Sequence, residues 1–474
     1  MAQHDEICFS TATELADRLR RKEISARDVM EAHLAQIERV NPTVNAIVSQ
    51  LPPEQSLQAA DDADAALSRG ENVGPLHGLP IAHKDTEPTK GVRSTSGSPI
   101  HAEFVPDYTS HHLERVQAAG AIMIGKTNVP EFAAGSHTYN PVFGATYNPY
   151  DQSKTAGGSS GGAAVALATG MLPIADGSDL GGSLRNPGNF NNVVGFRPSP
   201  GRVPNIPNGN GYNWISIKGP LARTVADTAL LFSAMVGRDD RDPLLIDEPG
   251  EQFRKPLDRD FSGVKLAWSP DLGGLPVDPR VSEVLAKAIS VVQGELKADV
   301  DEATPDFTDV QYVFEVLRAY RMATNFDPIF EENRHQIKQS VIWNVEQGRS
   351  FSAIDVGRAE QKQAAYYQRM LAFLNEYEFL LCPVNQVPPF NVKIDYPTEV
   401  NGVPMENYIA WMKSAYYIST SGLPCISVPA GFTSDGLPVG LQIVGRPRDD
   451  FGVLQLAHAF EQATGHWRTR PGVV

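Results

Sequence analysis

The chain has 474 residues, of which 41% are hydrophobic and 20% are charged, and this composition is typical of a globular protein with an ample core. A formal net charge of −15 argues against nucleic acid or an anionic membrane surface as the main partner, because those partners favour clustered Lys and Arg. Three widely spaced cysteines favour neither a disulfide framework nor a zinc site, and the N-terminal residues lack the apolar stretch of a signal peptide, so we expect a cytoplasmic protein.

The first predicted elements are two amphipathic helices. Thr11 and Glu14 form the T-x-x-E pattern of a capping box, and Ser25 with Asp28 nearly repeats it. The second helix is predicted to end at the Asn-Pro pair at 41–42.

From residue 76 onward, short apolar runs alternate with helical patterns. The runs LPIAHKD, AIMIGK and MLPIAD are predicted strands, and the first of them ends at Lys84. The helices between them end at Gly120 and Gly170. Such alternation predicts an α/β fold with a large mixed, mainly parallel central sheet covered by helices on both faces. Further strands are predicted at 263–268, 379–384, 425–430 and 439–444.

The stretch from about 305 to 375 is predicted to be helical and is rich in aromatic residues. These residues either pack in a helical layer or line a substrate pocket, and they are Phe314, Tyr320, Phe326, Phe330, Trp343, Tyr366 and Tyr367. Because no linker divides the chain, we expect one domain over 1–474 with a variable helical, aromatic-rich segment at about 305–415.

Two glycine-rich loops carry serines, GGSSGG at 157–162 and DGSDLGGSLRNP at 176–187. The plainest interpretation is that both are turns. Phosphate binding is disfavoured, because G-x-x-x-x-G-K-[ST] occurs only upstream at 120–127, where the middle residues resemble a buried strand. A Ser-x-x-Lys pattern at 262–265 lacks its companion motifs.

A nucleophile elbow is a further alternative, since Ser159 lies in a G-x-S-x-G pattern. That site needs an acid and then a histidine downstream of the serine. The candidates are His335, His458 and His466, and none of them has a glycine-rich loop around it.

The two loops and PIAHKD together resemble the three signature elements of the amidase signature family of serine hydrolases. In this chain 75 positions separate Lys84 from Ser159, and 24 separate Ser159 from Ser183, which is similar to the family's spacing. Segments at 11–29, 125–136, 219–231 and 423–447 also resemble the family.

The resemblance implies a role for each of three residues. Ser183 would be the nucleophile, Ser159 a bridging serine on a cis peptide bond, and Lys84 the base that deprotonates Ser183 through Ser159. A lysine has an ordinary pKa near 10.4, so burial must lower the pKa of Lys84 if it is to act as a base near neutral pH. The carboxylate of Asp85 would oppose this and is therefore expected to point away.

The resemblance also implies an oxyanion hole made by backbone N–H groups of the second loop, namely those of Leu180, Gly181, Gly182 and Ser183. Asp179 and Arg185 flank the nucleophile, and we expect them to form an ion pair that orients the loop. The sequence has no tight cluster of metal-ligating residues, so catalysis is expected to need neither a metal nor another cofactor.

The sequence therefore predicts a serine amidase that hydrolyses linear carboxylic amides to acid and amine or ammonia through an acyl-enzyme. The aromatic segment favours a small, largely neutral or apolar substrate, and a monomer or homodimer is expected. A urethanase acting on carbamates, or an esterase, is an alternative on the same site. A glutaminase subunit of a tRNA-dependent amidotransferase is a further alternative, although 411–424 lacks the acidic residue expected there for glutamine's amine. A non-catalytic binding protein on the same scaffold is the last.

Overall fold

An eight-stranded mixed sheet lies at the centre of the protein. The computed structural model describes residues 2–206, 211–212 and 214–474, and everything below refers to these residues. The strands are β1 (Pro80–Lys84), β2 (Ile122–Thr127), β3 (Tyr139–Asn140), β4 (Gly144–Ala145), β5 (Ile174–Asp179), β6 (Val194–Arg197), β7 (Ile217–Ala222), β8 (Lys265–Trp268), β9 (Asp299–Glu302), β10 (Phe379–Pro383), β11 (Glu399–Val400), β12 (Val403–Pro404), β13 (Cys425–Phe432) and β14 (Pro438–Val444). The central sheet has the order β5-β7-β6-β13-β14-β10-β8-β9.

The helices found in the described residues account for most of the remaining regular structure. They are α1 (Ala2–Phe9), α2 (Ala12–Arg20), α3 (Ala26–Val44), α4 (Pro53–Ser68), α5 (His111–Ala118), α6 (Gly161–Ala168), α7 (Arg185–Phe190), α8 (Val225–Met235), α9 (Pro279–Gly294), α10 (Val310–Asn333), α11 (Gln339–Ser350), α12 (Ala353–Glu376), α13 (Lys413–Ser421) and α14 (Asp450–Thr464). None of these described helices combines the length and apolar character needed to cross a lipid bilayer.

The fold is α/β as predicted, but the central sheet is not mainly parallel. Only the pairs β10–β8 and β8–β9 are parallel, whereas the five pairs that link β5, β7, β6, β13, β14 and β10 are antiparallel. β13 and β14 are joined by a loop too short for a parallel crossover, at 433–437, and this forces the antiparallel arrangement. The alternation of runs and helices therefore predicted the elements correctly and their pairing incorrectly.

Helices cover both faces of the central sheet, because successive residues of a strand point to opposite sides. On β10, Phe379 and Leu381 belong to the cluster that includes the buried faces of α9 and α14. Leu380 and Cys382 belong to the other cluster, with buried residues of α12 and α13.

Both N-terminal capping boxes are confirmed, at the starts of α2 and α3. The predicted end of α3 at 41–42 is wrong, because the helix continues through Pro42 to Val44. Asn45 then adopts a left-handed conformation with φ 51°, and its N–H donates to the Asn41 carbonyl at 2.7 Å. The Asn41 side chain also accepts from the N–H groups of Ala46 and Ile47, so the turn forms after the proline rather than before it.

The segment predicted at about 305–415 is helical only in its first part. α10, α11 and α12 fill 310–376, and beyond them the chain forms β10 and the short hairpin of β11 and β12. The helical prediction failed there because the run at 379–384 is itself a buried strand of the central sheet.

Candidate active site

Lys84 is the last residue of β1, and its side chain is 0% exposed to solvent. β1 pairs in parallel with β2 and lies beside β5. The contact with β5 is made through a side chain, since the Lys84 N–H donates to Asp176 Oδ2 at 3.3 Å. His83 Nδ1 lies 2.7 Å from Asp176 Oδ1, so one buried carboxylate aligns the end of β1.

The Lys84 amine lies between two serine hydroxyls. Its Nζ is 2.7 Å from Ser159 Oγ and 2.9 Å from Ser178 Oγ. Burial lowers the pKa of Lys84 to about 7, the Glu87 carboxylate opposes this shift, and the Lys218 charge adds to it. A large share of the amine is therefore neutral near neutral pH, as the sequence analysis required.

Asp85 points away from the amine, as predicted. Its Oδ2 accepts a hydrogen bond from Thr95 Oγ1 at 2.5 Å, and its Oδ1 accepts from the Thr95 N–H at 3.1 Å. Burial raises the pKa of this carboxyl. Asp85 thus holds a neighbouring loop and leaves Lys84 without an adjacent counter-charge.

The first glycine-rich loop presents Ser159 to the amine. The Gly158–Ser159 peptide bond is cis, and Ser159 is fully buried. Two upstream hydroxyls fix the loop: Ser136 Oγ donates to the Gly158 carbonyl at 2.5 Å, and Thr138 Oγ1 donates to the Gly157 carbonyl at 2.7 Å. The loop is therefore held on both sides of the serine.

Ser183 opens into a cavity of about 580 Å³ that Ser159 and Ser178 also line. It is partly exposed, and its carbonyl accepts from the Ser160 N–H at 3.2 Å, which ties the two glycine-rich loops together. The structure thus brings Lys84, Ser159 and Ser183 to one place. Of the described residues that line this cavity, none is a histidine, so the nucleophile-elbow alternative lacks its base.

Asp179 and Arg185 form the predicted ion pair, and it is bidentate and fully buried. Arg185 Nε lies 3.0 Å from Asp179 Oδ2, and Nη2 lies 3.0 Å from Oδ1. Arg185 also donates to Ser419 Oγ at 2.6 Å and to the Ala415 carbonyl at 3.0 Å. The pair anchors the second loop on α13 and does not line the cavity.

The predicted oxyanion hole needs one correction. The Gly182 N–H donates to Asp179 Oδ1 at 2.8 Å, so this group is already engaged inside the loop. Gly182 has φ +116°, and a Cβ at this position would lie 2.5 Å from the Asn186 side chain, so the turn requires glycine. Within the described structure the N–H groups of Leu180, Gly181 and Ser183 donate to no protein group, and all three residues line the cavity.

The aromatic residues of α10 divide between the two interpretations. Phe314, Tyr320 and Phe326 line the cavity, whereas Phe330 is a fully buried core residue. Phe314 stacks on Tyr416 with ring centroids 4.0 Å apart and contributes its other side to the cavity wall.

The sequence analysis missed several polar residues around Lys84. Ser178 was hidden inside the second loop motif, although its position one residue before Asp179 on a strand places it on the opposite face. A carboxylate that ends the apolar run MLPIAD could have indicated Asp176. The ion pair of Glu87 with Lys218, at 2.5 Å, joins residues 131 positions apart and leaves no local signal. Within the described residues, no group of three or more His, Cys, Asp or Glu side chains is arranged to hold a metal ion.

Comparison with known proteins agrees with this geometry. The Amidase family model matches residues 28–454. The chain belongs to the amidase signature family. This amidase is 35% identical to an acylamidase of Rhodococcus erythropolis, over 95% of the chain and 94% of that protein. It is 34% identical to a glutamyl-tRNA(Gln) amidotransferase subunit of Moorella thermoacetica, over 98% and 99%.

Among solved structures, a bacterial aryl acylamidase of the amidase signature enzymes is similar to this amidase with a TM-score of 0.91. The two are 28% identical, and the match covers 98% of this chain and 99% of the other. The protein is thus an amide hydrolase with the amidase signature fold.

Proposed function

We propose that this amidase hydrolyses linear carboxylic amides to acid and amine, or ammonia, through an acyl-enzyme on Ser183. One observation carries the proposal. A lysine amine that is 0% exposed lies 2.7 Å from the hydroxyl of Ser159, in the cavity into which Ser183 opens. Such an amine is a base without being a solvated cation, which is what activation of a serine requires.

In the first step, Ser183 Oγ attacks the carbonyl carbon of the amide as its proton passes to Ser159 Oγ. Ser159 simultaneously releases its own proton to the neutral Nζ of Lys84, which becomes an ammonium. Rotation of the Ser183 side chain about its Cα–Cβ bond brings its hydroxyl toward Ser159. Ser178 Oγ, 2.9 Å from Nζ, keeps the amine aimed during the transfer.

The tetrahedral intermediate carries a negative oxygen. We propose that the N–H groups of Leu180, Gly181 and Ser183 stabilise it, since these groups are unengaged and line the cavity. The proton on Lys84 then returns through Ser159 to the leaving nitrogen, and the C–N bond breaks. Water attacks the acyl-enzyme by the same relay, which releases the acid and restores Ser183.

We propose that the amide carries an aromatic or other bulky apolar group. Phe132, Phe314 and Phe326 line the cavity and supply a surface for such a group. Similarity to an aryl acylamidase over the whole chain supports the same class. Carbamates and esters place a similar carbonyl over the serine, and substrate comparison ranks them against amides.

The glutaminase alternative is less well supported, although relatives include subunits of glutamyl-tRNA(Gln) amidotransferases. Glutamine carries an ammonium group that needs a carboxylate partner in a desolvated site. Of the described residues that line the cavity, none is Asp or Glu.

Covalent labelling tests the proposed function. A fluorophosphonate is expected to add one label per chain, located on Ser183 by peptide mass spectrometry, and brief exposure to an aryl amide is expected to leave the acyl mass on the same residue. Ser183→Ala should abolish both, whereas Ser262→Ala, at an exposed serine, serves as the matched control. A Ser183→Ala variant that still turns over the amide would refute the proposal, and loss of activity in His458→Ala would favour the elbow.

A further inference from the structure

One end of the active-site cavity is cationic. Arg318 and Arg321 both line it, and they lie three residues apart on α10, so they share a face of the helix. Within the described residues no carboxylate oxygen lies within 4.0 Å of either guanidinium group, whereas the other cation of the cavity, Lys218, is paired with Glu87. Two unpaired like charges on one helix face are unfavourable by themselves, and here they occur in a chain of net charge −15.

Arg318 is a buried charge without a counter-ion. Its relative exposure is 6%, and its Nη1 donates to the Tyr408 hydroxyl at 2.6 Å. Its Nε and Nη2 are buried and have no hydrogen-bond partner. The rings of Phe314, Trp343 and Tyr408 lie 5.5 to 5.8 Å from the guanidinium carbon and stabilise the cation only in part. A buried charge of this kind normally has an anionic partner.

The Tyr408 hydroxyl has a proton to donate into the cavity. Its oxygen accepts from Arg318 Nη1 at 2.6 Å and from Asn344 Nδ2 at 2.5 Å. The orientation of the Asn344 amide is fixed, because Nδ2 also donates to the Ser340 carbonyl at 2.6 Å. With both lone pairs of the phenol oxygen occupied, its O–H can only donate, and no acceptor for it is found in the described part of the chain.

Arg321 completes the arrangement from the more open side. It is partly exposed, lines the cavity, and is bound by no side chain or carbonyl among the described residues. Its partial burial without an acid lowers the pKa of its guanidinium to about 10. A planar fork of N–H donors, a phenol O–H and a buried positive charge behind them together match the two oxygens of a carboxylate.

We propose that this end of the cavity binds a carboxylate carried by the amide substrate itself, with Arg321 and the Tyr408 hydroxyl as donors and Arg318 as the positive charge behind them. The proposal rests on the amide hydrolase function proposed above. It replaces the sequence-based expectation of a largely neutral substrate with that of an amide bearing one negative charge. Zwitterionic glutamine fits less well, since the cavity offers its ammonium group no acid among the described lining residues.

Matched substrate pairs test the charge preference. On the amine side, 4-acetamidobenzoate is compared with acetanilide, and on the acyl side glutaric acid monoamide is compared with pentanamide. In at least one pair, kcat/KM should be about tenfold or more higher for the carboxylate, the factor typical of one hydrogen bond to a charged group. Glutamine should be turned over more slowly than glutaric acid monoamide.

Variants then locate the effect. Arg321→Gln should lower kcat/KM for the carboxylate about tenfold more than for its neutral partner, Arg321→Lys should retain part of the preference, and Tyr408→Phe should reduce it. Arg358→Gln, at an exposed arginine of α12, is the matched control and should leave the preference unchanged. Because Arg318 is buried, its replacement can fail to fold, and the proposal does not depend on it.

Preference for the neutral amide in both pairs would overturn the proposal, as would an Arg321→Gln variant that lowers both members of a pair equally. Binding separates this outcome from failure of the proposed function. Calorimetry with Ser183→Ala should detect 4-acetamidobenzoate or glutarate, with binding weakened about tenfold by adding Arg321→Gln. If no amide is hydrolysed yet this Arg321-dependent binding is present, the proposed hydrolysis fails and the carboxylate site stands; if the binding is also absent, both fail.

Discussion

Replacing Lys84 with Met is expected to change how the stability of the amidase depends on pH. Burial lowers the pKa of this amine to about 7 in the folded protein, whereas an unfolded lysine titrates near 10.4. Between these two values the unfolded chain binds one proton more than the folded chain. The free energy of unfolding therefore rises with pH in this window, whereas below about pH 7 both states are protonated and this contribution is flat.

The magnitude follows from the width of the window. One pKa unit corresponds to about 1.4 kcal/mol, so the rise between about pH 7 and pH 10 amounts to about 4 kcal/mol from this group alone. Lys84 is 0% exposed, so solvent does not screen the effect. Other buried groups also titrate here, such as Lys126 with a pKa of about 8, but they remain in the variant and cancel in the comparison.

Urea unfolding of both proteins, followed by tryptophan fluorescence at pH 7, 8, 9 and 10, measures this difference. The wild-type free energy of unfolding should gain on the variant by about 4 kcal/mol across the series. In the wild type, kcat/KM should rise through a midpoint near the same pH, because the neutral amine is the base. Parallel stability curves for the two proteins would refute the claim that Lys84 is a buried amine with a lowered pKa.

Three further outcomes are expected. Lys218→Met removes a positive charge near Lys84 and leaves Glu87 unpaired, both of which raise the pKa of Lys84, so the midpoint of kcat/KM against pH should move to higher pH. Asp179→Ala leaves two buried guanidinium groups without their carboxylate and should lower the free energy of unfolding by about 3 to 5 kcal/mol, as measured by urea denaturation; a loss below about 1 kcal/mol would contradict this. Ser183→Ala should remove turnover while its urea midpoint stays at the wild-type value, and a lowered midpoint would indicate that the serine supports the fold.

Local patterns predicted the elements and the loops of this protein well. Apolar runs that end in polar or glycine-rich turns gave the strand before Lys84 and the helix that begins at Gly161, because period and capping are short-range properties. The two serine loops and the lysine were recognised as one set through a family resemblance. Nothing in their spacing alone required that they meet.

Pairing and long-range contacts could not be predicted in the same way. The order of the central sheet depends on which strands lie next to each other, and β7 inserts between β5 and β6 although it follows both in the chain. The engagement of the Gly182 N–H by Asp179 depends on the curvature of one loop, which no residue pattern records. The unpaired charge of Arg318 is likewise visible only after every neighbouring carboxylate has been located in space.

The position of α10 separates two properties of the amidase along the chain. The amine and the two serines that we propose to break the bond lie before residue 184, whereas Phe314, Arg318 and Arg321 meet the substrate from one helix more than a hundred residues later. Mutations in this helix can therefore redirect the enzyme to new compounds without disturbing proton transfer. Gene duplication followed by drift in a single exchangeable stretch is enough to diversify such a scaffold.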